Sequence, residues 1–432
     1  VASGTVFYVG TDSEVAHHAA PLMGRLPIRI ATAEEVLKLA VPGDLAIFFS
    51  EHFERFRSAI RQLQSRRVAT LYAIDGILEW RNAWENRADE PASPWTMRPV
   101  LSDKVACIGA AQARVLWSWG NADKIEIVGI PRFDDLAARD TTRNLPRDPN
   151  VFRILVVTAR CPGFTDSQRQ QIAQSLADLR DTVRETDLPD GRRIEIAWRL
   201  KGGMDRRIGV ENQESDSDLA DVLDRVDATI TTPSTAQLES MLLGKPTAIL
   251  DYTNSPLYAD AAWRITAKEQ IAQTLEQLIR PTEARMHYQK SVLHDALQLQ
   301  SPASDLMVQL IQAMLGQTQN AIHSDRTPRF PEAILPPVDA APPSLCLPAA
   351  YPTRGVFQND DLQKLQTQLA DAERETELLH RMIDGLRDEL GQAHAIFDSI
   401  HRHPVAGPVV RARQKVIDWF AKAERGDAEH DS

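Results

Sequence analysis

The chain has 432 residues, 43% of them hydrophobic and 25% charged, with a formal net charge of −11. That length exceeds one ordinary core and predicts two domains with accessories. The acidic balance excludes a dedicated nucleic-acid binder, which would show a basic surface. Cys107, Cys161 and Cys346 are scattered, with neither metal-ligand spacing nor an even disulfide framework, so a reducing cytoplasm is expected. No apolar run approaches the length of a membrane span. The opening VASGTVFYVG lacks the basic start of a signal peptide and leads straight into a strand.

Residues 1–136 read as a Rossmann-like half. Short apolar runs at 5–9, 28–30, 44–49, 68–74, 104–108 and 125–128 predict six strands. Helical patterns at 33–39, 53–64 and 111–119 lie between them. His17 and His18 are adjacent and point to different helix faces. A metal pair would want a spacing of four, so both read as surface. Asp75 follows the fourth run, at the carboxyl end of a presumed parallel strand, where ligands of such sheets bind.

Residues 75–99 differ in character. Trp80, Trp84 and Trp95 crowd together with Glu79, Arg81, Glu85, Arg87 and Arg98. The mixture suits a sugar or an anionic acceptor. A helical excursion packing its tryptophans on the sheet explains it equally well. Residues 137–150 are polar, contain two prolines and read as a linker.

A second α/β unit spans 151–322, with strands predicted at 153–158, 194–200, 228–231 and 247–250. After the first comes a loop with Arg160, Pro162, Gly163 and Thr165, opening a helix that runs to about 185. After the second comes Lys201-Gly202-Gly203, whose glycines let a backbone approach a phosphate closely. The third carries the best-punctuated stretch of the chain. Pro233 stops the strand, Ser234 or Thr235 caps the next helix, Glu239 lies one turn inside it, and Gly244 and Pro246 end it. A helix start at a parallel strand's carboxyl end suits a diphosphate, and Glu239 is placed to accept from ribose hydroxyls. An N-cap with an ordinary surface glutamate is the bland alternative. Helices at 267–280, 282–298 and 304–315 either close this domain or cross back to the first.

Residues 323–358 form a Pro-rich linker, with eight prolines between 325 and 357. Beyond it Leu362, Leu365, Leu369, Ala372, Thr376, Leu379, Ile383, Leu386, Leu390, Ala393 and Phe397 alternate spacings of three and four. That seam predicts a self-associating coiled coil over 359–400. Residues 404–432 read as a short basic amphipathic helix and a polar tail. The helix suits either an anionic membrane surface or docking on the coil.

The stretch 221–252, with Ser234, Thr235, Glu239 and Gly244-Lys245-Pro246, resembles the nucleotide-binding segment of GT-B glycosyltransferases. It also resembles CDP-glycerol glycerophosphotransferases and UDP-N-acetylglucosamine 2-epimerases. Gly129, Pro131, Arg132 and Asp134 match the piece that leads into the crossover between the halves in those relatives. The glycerophosphotransferases carry a Lys/Arg-x-His-Pro where this chain has Arg199 and Lys201 but no His-Pro. The resemblance implies two Rossmann-like domains of GT-B type. It also implies a transferase moving a sugar or polyol phosphate from a nucleotide donor to a surface glycan or its lipid-linked precursor.

On that reading Ser234 and Thr235 hold the diphosphate and Glu239 the ribose. Lys201, Arg160 and Thr165 face the donor phosphates. Asp75, then Glu79, is the expected base, and Trp80, Arg81 and Trp84 meet the acceptor. No metal or cofactor is predicted, because no Asp-x-Asp pair stands in a plausible site. The expected partners are the nucleotide-sugar donor, a glycan or lipid-linked acceptor and further copies of the chain. The expected place is the cytoplasm or the inner face of the membrane. A 2-epimerase on the same fold and a non-catalytic binding protein working through its coil are the alternatives.

Overall fold

A computed structural model describes residues 4–78, 97–139, 148–186, 188, 191–214, 217–254 and 257–336, with scattered positions between 380 and 415. The chain divides into two compact units, Val1–Pro352 and Thr353–Ser432.

The first unit holds two parallel sheets. In the first lie β1 (Val6–Val9), β2 (Ile28–Ala31), β3 (Leu45–Phe48), β4 (Ala69–Ala73), β5 (Lys104–Cys107) and β6 (Ile125–Ile127), in the order β2-β1-β3-β4-β5-β6. Parallel neighbours need crossovers. The helices α1 (Asp12–Ala19), α2 (Ala33–Leu39), α3 (Glu54–Ser65) and α4 (Ala110–Leu116) follow strands of this sheet in sequence. Helices on both faces explain why β1, β3 and β4 are buried at every position instead of alternating. Phe7, Val9, Ala46 and Phe48 pack with Ile60 and Leu63 of α3 on one side. Val6, Tyr8, Leu45 and Ile47 pack on the other.

The second sheet holds β7 (Val151–Val157), β8 (Arg193–Arg199), β9 (Ala228–Thr231), β10 (Thr247–Leu250) and β11 (Trp263–Ile265), in the order β11-β10-β9-β7-β8. Between the sheets comes α5 (Asp134–Ala137). With the second sheet come α6 (Asp166–Glu185), α7 (Met204–Ile208), α8 (Leu219–Asp224), α9 (Ala236–Leu242), α10 (Ile271–Ile279), α11 (Glu283–Ala296) and α12 (Ala303–His323). The last helix packs on the first sheet: Leu306, Leu310, Ile311 and Met314 sit among Val6, Leu45, Ile47 and Leu71. The chain therefore crosses back, and the two halves are two Rossmann-like α/β layers.

Three expectations are corrected. Beyond the four strands expected in the second half there is a fifth, β11, whose three residues are too few to show a period. The helix expected at 304–315 continues to His323, because Met314, Leu315 and Thr318 remain buried and reward two more turns. The start of the Pro-rich spacer is not a free tether. The buried carboxylate of Glu126 accepts from Ile334 N at 2.8 Å and Leu335 N at 3.0 Å. Lys104, paired with Glu126 at 2.8 Å, donates to Glu332 O. Among the described residues of the second unit, Ile383, Leu386 and Leu390 are helical and exposed.

Candidate functional site

The site is built on the carboxyl ends of β7, β8 and β9. Two threonines brace them. Thr158, following β7, accepts from Lys201 N at 2.8 Å through its hydroxyl. Thr232, following β9, accepts from Ala159 N at 3.0 Å. These bonds tie three loops into one floor. Above it opens a cleft of about 700 Å3, whose lining includes Arg160, Lys201, Ser234, Thr235, Glu239 and, from the first half, Ile77. Five of the six residues expected at the donor thus line one cleft. Thr165 is not among them. Its hydroxyl accepts from Gln168 N at 3.2 Å and starts α6, so it is committed as a helix cap.

Of the two expected caps Ser234 is the one used: its Oγ accepts from Ala236 N at 3.2 Å, whereas Thr235 already has helical dihedrals and makes no side-chain cap bond. The helix α9 has seven residues, so its dipole is small. Positive potential in the cleft comes from Arg160 and Lys201 instead.

The opposite lip comes from the first half. Asp75, Gly76 and Ile77 follow β4, and Ile77 N donates to Thr235 Oγ1 at 3.3 Å. A Cβ on Gly76 would stand 2.3 Å from that hydroxyl, so only glycine lets the lips meet here.

Asp75 pairs with His18, Nε2 to Oδ2, at 3.0 Å. The His18 side chain is 9% exposed, that of Asp75 45%. The His18 ring stacks on Phe49 at 4.5 Å, with His17 3.7 Å away. The expectation that His18 is a surface residue is therefore corrected. Val15, His18, Ala19 and Leu22 share one helical face, and Val15, Ala19 and Leu22 are buried. Crowding pushes the Asp75 carboxyl up. The hydrogen bond and charge of His18 and the charge of Arg132 outweigh that and hold it below the usual carboxylate range. Burial lowers His17, as do the charges of His18, Arg132 and Arg160.

Arg132 stands between this pair and the donor lip. It belongs to the stretch Gly129-Ile130-Pro131-Arg132-Phe133-Asp134, each part of which has a mechanical role. Pro131 opens a one-turn helix. Asp134 accepts from Ala303 N and Ser304 N, both at 2.8 Å, and so caps α12. Arg132 Nη1 meets Glu239 Oε1 at 3.1 Å across the halves, with its guanidinium 4.4 Å over the Phe133 ring. Burial raises the Glu239 carboxyl, and the charge and hydrogen bond of Arg132 oppose the rise. Arg132 reads as structural from its motif alone. Its partner lies 107 positions away, so no local spacing reveals the contact.

Glu79, Trp80, Arg81 and Trp84 lie outside the described residues. Among the described residues no group of three or more His, Cys, Asp or Glu could hold a metal ion, and no helix is long and apolar enough to cross a membrane. A second hollow of about 430 Å3 lies between α4 and α11, lined by Arg114, Tyr258, Asp260, Tyr288 and Asp295. Its charges pair among themselves: Arg114 takes Asp295 in a bidentate pair and Tyr288 donates to Asp260 at 3.3 Å.

No family model matches the chain, and no curated protein sequence does. Solved structures do. A wall teichoic acid polymerase, TagF, in its H444N variant is 13% identical with a TM-score of 0.49, over 74% of this chain and 90% of that one. The S. aureus MnaA–UDP co-structure is 13% identical with a TM-score of 0.48, over 76% and 100%. The Methanocaldococcus jannaschii UDP-GlcNAc 2-epimerase, in complex with UDP-GlcNAc and UDP, is 10% identical with a TM-score of 0.47, over 72% and 99%. These are the kinds of protein that the sequence resembles. At such identities, and with TM-scores below one half, they carry nothing about chemistry. The two-sheet layout stands on the strand pairing itself.

Proposed function

We propose that this protein is a transferase that takes a sugar or a polyol phosphate from a nucleotide-activated donor. The observation that supports it is one cleft with two unlike lips. On one side Arg160, Lys201, Ser234 and Thr235 offer two cations and two hydroxyls to a diphosphate, with Glu239 one helical turn away for ribose hydroxyls. On the other side stands Ile77, two residues beyond Asp75, which pairs with His18.

The division of labour follows from charge. Cations fixed around a diphosphate stabilise the negative charge that builds on the departing nucleotide. An acceptor hydroxyl must lose its proton as it attacks, and a carboxylate paired with an imidazole is suited to receive it. Asp75 alone is a weak base, since its neighbours hold its carboxyl low. With His18 the pair has two sites for one proton. A glycan or lipid-linked acceptor would enter from the first half, and copies of the chain would associate through 359–400. If they do, Leu386→Asp lowers the mass seen by light scattering, and an unchanged mass removes the coil from the reading.

The test is thermal unfolding with UDP, GDP, CDP, TDP and ADP, on the wild type and on Glu239→Ala. A ligand that binds only the native state raises its apparent stability by mass action. One nucleotide should stabilise the wild type, and the variant should lose that response. No response to any of them would sink the transferase reading.

A further inference from the structure

We infer that Arg132, reaching across from the first half, is the positioning residue that fixes Glu239 for the donor's ribose. This rests on the ribose role proposed above for Glu239.

The geometry is specific. Arg132 Nη1 occupies Glu239 Oε1 at 3.1 Å. Among the described residues no group donates to Oε2, although the side chain lines the cleft. One carboxylate oxygen is thus held and the other is left for a ligand. The Glu239 side chain is 13% exposed, and burial there favours the neutral acid. Three charged groups face it: Arg132 from the crossover, Arg199 of β8 and Asp218 before α8. Arg199 is occupied by the carbonyls of Glu214 and Ser217, and Asp218 caps α8 through Ala220 N at 2.9 Å. Asp218 works against ionisation of Glu239. Arg132 is the cation in direct contact.

Its own surroundings point the same way. Arg132 Nε is buried with no hydrogen-bond partner. A guanidinium held only for structure would have its donors met, because an unmet buried donor is costly. Arg132 is braced instead by Phe133 beneath it, and its charge is felt by Asp75 and His17 as well. A neutral acid at Glu239 keeps one oxygen as a donor. It cannot accept from both ribose hydroxyls as a carboxylate can. With Arg132 in place the site selects ribose, and without it that selectivity becomes a matter of pH.

The experiment is calorimetric titration of the intact chain with UDP, CDP, GDP and ADP, each beside its 2′,3′-dideoxy counterpart, from mildly acidic to mildly alkaline solution. The wild type should prefer one ribonucleotide over its dideoxy form by roughly tenfold at every pH, as expected for lost charge-assisted hydrogen bonds. Arg132→Gln should lose the preference in acid and recover it in alkali. Arg132→Lys, which keeps a cation, should show the wild-type pH profile with weaker binding, and it serves where the glutamine variant fails to fold. Glu239→Gln should have no preference at any pH. A ribose preference in Arg132→Gln with the wild-type profile would overturn the inference alone. Absent nucleotide binding in the wild type, or a preserved preference in Glu239→Gln, would overturn the ribose role and the inference with it.

Discussion

Two buried ion pairs in the first unit make opposite uses of the same chemistry. Lys104 and Glu126 meet at 2.8 Å with side chains 0% and 2% exposed. Every strong group there is answered by the backbone: Lys104 by Asp123 O and Glu332 O, Glu126 by Ile334 N and Leu335 N. Arg132 and Glu239 meet at 3.1 Å with side chains 26% and 13% exposed. There one guanidinium nitrogen is unmet, one carboxylate oxygen is open, and the carboxyl is pushed up by burial. A closed pair holds strands and a strap in place. An unfinished pair beside a cleft is a site waiting for a third member.

The largest expected effect separates the two. Glu126→Ala strands a fully buried ammonium and should destabilise the chain by about 3–5 kcal/mol, read as a lower urea midpoint. Glu239→Ala should cost less, about 1 kcal/mol by the same measurement, since about a quarter of the Arg132 side chain stays in solvent. A large loss from Glu239→Ala would make the second pair as structural as the first.

The smallest effect comes from the third pair, Asp75 and His18. The folded-state carboxyl of Asp75 is held below its ordinary value. It therefore contributes stability above the unfolded pKa of about 3.9, which is lost as pH falls through the lower folded value. Asp75 is nearly half exposed, so the contribution is below about 1 kcal/mol. Asp75→Asn should be slightly less stable than the wild type at neutral pH, and the two unfolding curves should converge in acid. Curves that stay apart in acid would mean that the mutation does more than remove a charge.

The fold was legible because local signals agreed. β9 and β10 fall at 228–231 and 247–250 as their apolar runs dictate, between Pro233, Gly244 and Pro246. Where signals are too short, as in the three residues of β11, the strand is set by its pairing with β10 and leaves no pattern. The strand-end residues of the site were legible on both lips, since Asp75 follows β4 as its position in the sequence indicates. Arg160, Lys201, Ser234, Thr235 and Glu239 each follow a strand, so the rule for open parallel sheets finds them. His18 shares a face with buried residues, a signal outweighed by its adjacency to His17. Arg132 meets its partner only once both halves have folded.

The clamp at residues 332–335 has a mechanical consequence. Glu126 lies on β6, the edge strand of the first sheet, and Lys104 on β5 beside it. A pull on the chain from beyond Leu335 loads these two strands before it can reach α12. Any tether made by the tail thus anchors the half that carries Asp75 and His18, not the half that carries Glu239.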